Sequence, residues 1–300
     1  MYLYHFGLRK LPFSLTPDTE LFCSLPSYKE ALNTIHFALT TGEAFCLVSG
    51  EVGTGKTMLS RWLINKISEQ RIIAYLPNPV LNPREIKLAL ASELNIRITK
   101  NLTDDQLVPR IQKRLIELNK KHGPVVLIID EAQTMPDETL EALRLFTNLE
   151  TETSKLLQIV LFAQPELIEK LNQKHLRQLR QRIAFQYRLS RFNRIETQQY
   201  IEHRINRSTS QKGHSFFSSS AYSAIFYASG GIPRLVNILA HKSLMLAFGK
   251  GRRKVRINEV LGAINDTQDA NSNLRFIKRL FLAGGLVLFS SSALAYWILL

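Results

Sequence analysis

The 300-residue sequence predicts an α/β protein: a parallel sheet with helices on both faces, followed by a small all-helical region and a C-terminal transmembrane helix. Three observations lead to this prediction. Up to residue 190, short apolar runs rich in branched side chains alternate with helical patterns, and such alternation indicates a parallel sheet with crossover helices. From residue 193 the pattern is helical throughout. Residues 280–300 carry no charge and are long enough, as a helix, to cross a bilayer.

The bounds of the predicted elements come from apolar periodicity and from turn-forming residues. Strands are predicted at 44–49, 72–76, 125–129, 156–162 and 183–189. Helices are predicted at 28–40, 58–69, 83–94, 104–121, 137–149, 195–207, 219–229, 234–248 and 258–265. Asn82 before Pro83 is typical of a helix start, and Gly123 before Pro124 is typical of a helix end.

The segment between the first predicted strand and its helix fits the pattern G-x-x-x-x-G-K-[ST] in full, reading Gly-Glu-Val-Gly-Thr-Gly-Lys-Thr over residues 50–57. Glycines let the backbone turn sharply, so that N–H groups and the helix N-terminus can face phosphate oxygens. Lys56 is expected to reach the β- and γ-phosphates of ATP, and the Thr57 hydroxyl to bind Mg²⁺. The predicted nucleotide-binding residues are Gly50, Glu51, Val52, Gly53, Thr54, Gly55, Lys56, Thr57 and Met58.

Polar side chains follow two other predicted strands, at the carboxyl ends where open α/β sheets bind their ligands. Asp130 is predicted to bind Mg²⁺ through water, and Glu131 to orient and polarise the attacking water. This pair favours hydrolysis of a nucleoside triphosphate over binding alone. Gln164 is predicted to bridge the attacking water and the γ-phosphate, the alternative being a helix-entry residue before Pro165.

Three arginines are candidates for contacts with the γ-phosphate. Arg180 and Arg182 precede the last predicted strand and are candidates for an arginine finger that reaches the nucleotide of a neighbouring subunit. Arg234 follows Gly-Gly-Ile-Pro at the start of a helix and is expected to fold onto the γ-phosphate from the helical region. The alternatives are surface charge for the first two and a solvated arginine at a helix start for the third.

Composition limits the class of protein and its partners. Two cysteines, Cys23 and Cys46, make no disulfide framework, and residues 1–10 contain no apolar signal segment, so a reducing compartment is expected. Fifteen of the 39 basic residues lie in three acid-free runs, at 172–194, 250–256 and 275–279. The remaining 24 nearly balance the 25 acidic residues, so the surplus of positive charge is local. Such runs suit nucleotide, nucleic acid or lipid headgroups, or are solvated helix faces.

The uncharged segment at 280–300 is predicted to be a single-pass membrane anchor. As a helix it spans about 30 Å, the thickness of a bilayer core. Tyr296 and Trp297 lie near its far end, where interface aromatics are common, and Arg275, Lys278 and Arg279 precede it. The positive-inside rule then places residues 1–279 in the cytoplasm and Leu300 outside.

The motifs together resemble those of AAA+ ATPases, and specifically those of the ExeA/GspA secretion ATPases. The matching strings are Phe6-Gly7-Leu8, Pro12-Phe13-Ser14-Leu15-Thr16-Pro17-Asp18, the phosphate loop, Asp130-Glu131-Ala132-Gln133, Gln164-Pro165-Glu166-Leu167 and Gly231-Ile232-Pro233-Arg234. The resemblance covers roughly residues 1–265. Longer members carry a peptidoglycan-binding domain beyond the membrane span, and its absence before Leu300 favours the short MshM type.

This resemblance implies a domain plan and a function. Residues 1–190 are expected to form the AAA+ nucleotide-binding domain, 191–265 a helical lid, 266–279 a juxtamembrane linker and 280–300 the transmembrane helix. The implied function is ATP hydrolysis that drives assembly of a type IV pilus, of the mannose-sensitive haemagglutinin type, or of a type II secretion complex. The implied partners are further copies in a ring and inner-membrane and secretin-assembly proteins.

Two other functions remain open at this point. Transposition and initiator ATPases share the expected fold and bind DNA, and Arg252, Arg253 and Lys254 could contact phosphates. The predicted anchor and the lack of a recognisable helix-turn-helix segment make nucleic acid unlikely as a partner. A nucleotide-gated scaffold with little turnover is the other alternative, against which Glu131 argues.

Overall fold

The computed structural model describes residues 2–99, 103–150, 154–209 and 215–270. They fall into two compact units. One unit comprises Ser24–Ser190, and the other comprises Met1–Cys23 together with the chain from Arg191 onward. The β-strands, all in Ser24–Ser190, are β1 (Phe45–Ser49), β2 (Ile73–Leu76), β3 (Val125–Ile129), β4 (Leu157–Ala163) and β5 (Ile183–Arg188). The helices are α1 (Tyr2–His5), α2 (Pro26–Thr40), α3 (Lys56–Ile67), α4 (Pro83–Glu93), α5 (Asp104–His122), α6 (Asp137–Phe146), α7 (Glu166–Leu171), α8 (Arg177–Arg182), α9 (Arg194–Ser208), α10 (Ser219–Ser229), α11 (Pro233–Gly249) and α12 (Ile257–Asn265).

The unit of residues 24–190 is built on one parallel sheet with the strand order β2-β3-β4-β1-β5. Every residue of β1, β3 and β4 is buried, as expected for central strands covered by helices on both faces. This confirms the predicted parallel α/β fold. The order places β4 between β1 and β3, so the segments that follow these three strands meet at one edge of the sheet.

The buried amide of Gln158, inside the apolar strand β4, is hydrogen-bonded through both its nitrogen and its oxygen. The Gln158 amide nitrogen donates to backbone carbonyls at Leu39 (3.2 Å) and Glu43 (3.1 Å), and its oxygen accepts from Arg71 (2.9 Å). These bonds offset the cost of removing the amide from water. They also tie β4 to the end of α2.

The predicted helices and strands are present, with ends that shift by a few residues. At the start of α4, Asn82 accepts hydrogen bonds from the backbone N–H groups of Arg84 and Glu85, and the Glu85 carboxylate accepts from the Asn82 N–H. This reciprocal cap is the physical reason why α4 begins at the boundary predicted from Asn82 and Pro83. The short helices α7 and α8 were not predicted, because six residues show too little periodicity to be distinguished from a loop.

The other unit is helical, built from α9–α12 and from the N-terminal segment, defined here as residues 2–23. The Arg9 N–H donates to the Ser208 carbonyl at 2.7 Å, and Leu8 pairs with Thr209. The buried Arg204 donates to the Tyr200 hydroxyl (2.6 Å) and to the Ser14 carbonyl (3.4 Å).

The N-terminal segment therefore differs from the prediction, which assigned it to the nucleotide-binding domain with the rest of residues 1–190. It packs against α9 and α11 instead, for example through the Tyr2 hydroxyl and His241 at 3.0 Å. Apolar periodicity marks a segment as buried but does not identify its partner, because the contact closes a loop of about 200 residues.

The start of the predicted linker at 266–279 is also packed against the helical unit. Lys242 donates to the Asp266 carbonyl at 2.7 Å, and Thr267 and Ala270 are buried. The predicted anchor at 280–300 lies outside the described residues. Within the described ranges, no helix combines the length and apolarity needed to cross a bilayer.

Candidate nucleotide site

The phosphate-binding loop connects β1 to α3 and curls around the side chain of Lys56. The Lys56 ammonium donates to the carbonyls of Gly50 (2.7 Å) and Glu51 (3.0 Å), and the residue is 5% exposed. The Thr54 hydroxyl donates to the same Glu51 carbonyl at 2.8 Å. The loop thus presents a buried cation at the N-terminus of a helix, where anions are stabilised.

Gly55 is required by the shape of this loop. Its φ of +94° lies in the left-handed region, and a Cβ at this position would lie 2.5 Å from the Tyr28 hydroxyl. That hydroxyl donates to the Thr54 carbonyl at 2.7 Å. Tyr28 therefore connects α2 to the loop and is a functional position that the sequence analysis missed.

Burial and the nearby carboxylates shift the pKa of Lys56 in opposite directions. Burial lowers the pKa of Lys56, and the charges of Glu131 and Asp130 oppose that shift. Glu166 and Glu51 act in the same direction with smaller effects. A poorly hydrated ammonium of this kind gains much of its missing solvation from phosphate oxygens.

Asp130 lies at the carboxyl end of β3 and is 1% exposed. Burial raises its pKa, whereas hydrogen bonds from the Thr57 side chain and the Glu131 N–H lower it. The Glu131 N–H reaches Asp130 Oδ1 at 3.0 Å.

This donor pair suits Mg²⁺. A buried carboxylate beside a hydroxyl is the protein contribution typical of NTPase sites, where phosphates and water complete the octahedron. Among the described residues, no group of three or more His, Cys, Asp or Glu side chains could hold a metal by itself. Thr57 and Asp130 are the residues that would hold Mg²⁺ at this site.

Glu131 follows in an uncommon backbone conformation, with a φ of +54°. For a residue other than glycine this left-handed region is strained and often marks functional positions. The Glu131 carboxylate accepts from the Gln133 amide at 2.5 Å and from the Gln164 amide at 3.1 Å. The Gln133 oxygen in turn accepts the Gln164 N–H at 3.0 Å.

Gln133 is the second residue that the sequence analysis left without a role. It lies in the turn Ala132–Thr134, after β3, and connects Glu131 to the end of β4. The signal that the sequence offered for Gln133 was its position two residues after Glu131. Only the order of strands in the sheet shows that the Gln133 amide also reaches the chain leaving β4.

The structure thus brings together residues from three segments of the chain at one end of the sheet. The grouped residues are Lys56 and Thr57 after β1, Asp130 and Glu131 after β3, and Gln164 after β4. Glu51 is partly exposed and pairs with Arg188 at 3.4 Å. Val52 is exposed, and Gly53 and Met58 are half-buried.

The three candidate arginines are not part of this group in the described contacts. Arg180 and Arg182 are exposed on α8, in the same unit as the sheet. Hydrogen bonding by Lys155 lowers the pKa of Glu150, and the charge of Arg182 adds to that shift. Arg234 is exposed in the first turn of α11, in the helical unit. Their roles stay predictions.

The parallel sheet and the phosphate loop define the class: the chain has the P-loop fold of the AAA+ type. Residues 39–171 match the model of a family described as AAA domain. The chain is also 36% identical, over 255 residues, to General secretion pathway protein A of Aeromonas hydrophila. That match covers 85% of this chain and 46% of the relative, so the chain spans about half the length of the curated protein that it matches. The resemblance to the ExeA/GspA family is therefore confirmed.

Solved structures support the same fold at low sequence identity. Cdc6p from Pyrobaculum aerophilum matches with a TM-score of 0.66 at 18% identity, covering 85% of this chain and 70% of that one. The ORC1 protein of Aeropyrum pernix in complex with DNA matches with a TM-score of 0.63 at 18% identity, covering 86% and 69%. RuvB of Thermotoga maritima, described as a Holliday junction branch migration motor, matches with a TM-score of 0.53 at 18% identity, covering 80% and 67%.

Proposed function

We propose that this chain hydrolyses ATP at the site between β1, β3 and β4 and that it does so as a membrane-anchored assembly ATPase. The observation that carries the proposal is the Glu131 carboxylate, oriented by the amides of Gln133 and Gln164. It adjoins the buried Asp130 and the cation of Lys56. A positioned carboxylate of this kind is what activation of an attacking water requires.

Each residue has a separate task in this proposal. Lys56 exchanges its bonds to the loop carbonyls for bonds to the β- and γ-phosphates, and Glu131 accepts a proton from the attacking water. Gln164 supports the water and the γ-phosphate from the end of β4. Thr57 and Asp130 would hold Mg²⁺, which when bound would neutralise part of the charge that develops on the phosphates.

A single-turnover assay of ATP hydrolysis by the full chain tests this proposal. Glu131→Gln is expected to bind ATP normally and to hydrolyse it at least about 100-fold more slowly, because the amide keeps the shape but lacks the basic oxygen. Lys56→Ala is the comparison, and it is expected to abolish binding of a fluorescent ATP analogue. A Glu131→Gln rate within about threefold of wild type would remove Glu131 from the catalytic role. Slow turnover in the wild type would favour a nucleotide-gated scaffold.

We also propose that residues 280–300 anchor the chain in the bacterial inner membrane, with the ATPase site in the cytoplasm. Support comes from the uncharged sequence of that segment and from the basic residues that precede it. The relative described as General secretion pathway protein A supports a role in assembling a type II secretion complex. The alternative is assembly of a type IV pilus, which the resemblance of the sequence motifs to this family implies.

Self-association into a ring would complete the site in this proposal. Arg182, or Arg180 in its place, would reach the nucleotide of a neighbouring subunit, and Arg234 would contact the γ-phosphate within its own chain. The exposure of all three arginines leaves them available for such contacts.

DNA binding is the alternative function, supported by the likeness to ORC1 solved in complex with DNA. The basic run at 250–256 was the candidate contact. Lys250 and Arg252 in this run both pair with the buried carboxylate of Glu259, at 3.0 Å and 2.9 Å. These two cations therefore stabilise the helical unit, which weakens the case for the run as a DNA site. A mobility-shift assay with duplex DNA at two salt concentrations decides between the alternatives, because phosphate contacts weaken steeply with salt.

A further inference from the structure

An apolar surface lies exposed on the helical unit, where neither ATP hydrolysis nor the packing of the unit requires it. We call it the α11–α12 face and define it by Met245, Leu246, Ile257 and Leu261. These residues are between 38% and 51% exposed. Isolated exposed apolar residues are common, but a group on adjacent elements marks an interaction surface.

The members of the face are close neighbours because α11 and α12 pack side by side. Lys242 donates to the Asp266 carbonyl at 2.7 Å, so the middle of α11 adjoins the end of α12. Leu246 Cδ1 would lie 3.0 Å from a Cβ added to Gly262, which places Leu246 directly beside α12. Ile257 and Leu261 are four residues apart and so share one side of α12.

The turn between the two helices adds positive charge at the border of the face. It contains Arg252, Arg253, Lys254 and Arg256, all exposed. Arg252 is paired with Glu259, whereas Arg253 and Lys254 lie at the outside of the turn between the paired residues. Exposed apolar side chains bordered by lysine and arginine form the combination that binds the interface of an anionic bilayer.

The chain that leaves α12 leads directly to the predicted anchor. The described residues end at Ala270, which is still buried in the helical unit. An extended chain spans at most about 3.5 Å per residue, so Ala270 lies within roughly 35 Å of residue 280. If residues 280–300 span the membrane, the helical unit stays close to the bilayer surface at all times.

We propose that the α11–α12 face docks on the anionic lipid surface of the membrane that holds the anchor. Met245, Leu246, Ile257 and Leu261 enter the headgroup region, and Arg253 and Lys254 contact lipid phosphates. Docking orients the helical unit on the membrane. This inference rests on the anchoring part of the proposed function.

Fluorescence quenching in nanodiscs tests the proposal with the full chain. Leu261→Cys carries an environment-sensitive fluorophore, and Ile195→Cys, also exposed, is the matched control in the same unit. Ile195 lies three residues after Phe192, whose N–H donates to the Gly231 carbonyl just before α11. Leu246, beside position 261, lies 15 residues after Gly231 in the chain and about 20 Å from it along the helix. The native Cys23 and Cys46 are buried and react slowly.

The expected result is at least twofold stronger quenching at position 261 than at position 195 by lipids spin-labelled at the headgroup. It is expected in discs containing phosphatidylglycerol and not in discs of phosphatidylcholine alone. Arg253→Gln with Lys254→Gln is expected to lower the docking equilibrium about 25-fold, because each removed charge accounts for about fivefold. Unchanged ATP hydrolysis by the labelled variants shows that they are folded.

Equal quenching at both positions, or equal quenching in both kinds of disc, would overturn the proposal. Disulfide crosslinking between two unlabelled Leu261→Cys chains, without lipid quenching of the labelled protein, would assign the face to a second copy and also overturn it. Release of the wild-type chain from discs by alkaline carbonate would show instead that the anchor is wrong. The comparison of positions 261 and 195 on phosphatidylglycerol vesicles would then still decide whether the face contacts lipid.

Discussion

Glu131 combines two features that seldom coincide in a residue outside a functional site. Its backbone adopts the left-handed conformation, and its carboxylate is held by two amide donors. The backbone strain costs of the order of 1–3 kcal/mol and persists because the turn at Ala132–Thr134 and the end of β4 surround it. In the proposed reaction, a carboxylate held in a fixed position before substrate arrives would lower the barrier to the chemical step.

At this scale the sharpest prediction concerns Gln133, which contacts no expected substrate atom but orients Glu131. Gln133→Ala is expected to slow single-turnover ATP hydrolysis by about tenfold to 100-fold, because a misplaced base loses most of its effect. Affinity for ATP is expected to change by less than about twofold. Gln70→Ala, at an exposed position in the same unit, is the control and is expected to leave the rate unchanged. A normal rate in Gln133→Ala would show that Gln164 alone positions Glu131.

At the scale of elements, capping residues at helix N-termini explain why the boundaries predicted from sequence are accurate where a cap is present. Asn82 accepts two backbone N–H groups at the start of α4. Thr103 precedes α5 without a side-chain cap. Comparing alanine variants at these two positions therefore measures how much the side-chain cap contributes to stability.

We expect Asn82→Ala to destabilise the unit of residues 24–190 by about 1 kcal/mol, and Thr103→Ala by much less. Urea unfolding followed by tryptophan fluorescence measures the difference. The midpoint is expected to fall by about 0.5 M for Asn82→Ala. Equal shifts in the two variants would mean that the cap bonds contribute nothing beyond helix propensity.

The short helix α8 is the element on which the proposed contact between subunits depends. Arg182→Ala is expected to bind ATP normally, because its own phosphate loop is intact, and to hydrolyse it about 10³-fold more slowly. Arg177→Ala, an exposed position on the same helix, is the control. Steady-state phosphate release at a concentration that supports oligomers measures both, and Arg180→Ala tests the second candidate.

Mixing subunits separates a role between chains from a role within one chain. A Glu131→Gln subunit is inactive at its own site but still offers its own Arg182 to a neighbour. Added to Arg182→Ala, it is expected to restore turnover at the shared interfaces. If crosslinking shows mixed oligomers and turnover stays absent, Arg182 acts within its own subunit or only on the structure.

At the scale of the whole molecule, the main prediction concerns the anchor. Deleting residues 280–300 is expected to release an active ATPase from membranes, because no other segment of the sequence combines that length with that apolarity. Extraction with alkaline carbonate followed by sedimentation measures this for the full and the truncated chain. A truncated chain that still resists extraction would contradict the single-pass topology.

The sequence by itself determined the features that depend on neighbours along the chain. Apolar periodicity predicted the strands and the longer helices, and the cap at Asn82 set a boundary, since both arise from contacts within a few residues. The phosphate loop was predicted for the same reason, because residues 50–57 are contiguous in the chain.

The tertiary structure decided everything that depends on partners distant in sequence. The order β2-β3-β4-β1-β5 brings Gln164 to Glu131 and gives Gln133 its second contact. The N-terminal segment packs on the helical unit, where the Ser14 carbonyl accepts from the buried Arg204. Such contacts close long loops, and their stability comes from many burial and hydrogen-bond contributions acting together. No pattern within a few residues specifies which distant apolar or polar side chains will contact each other.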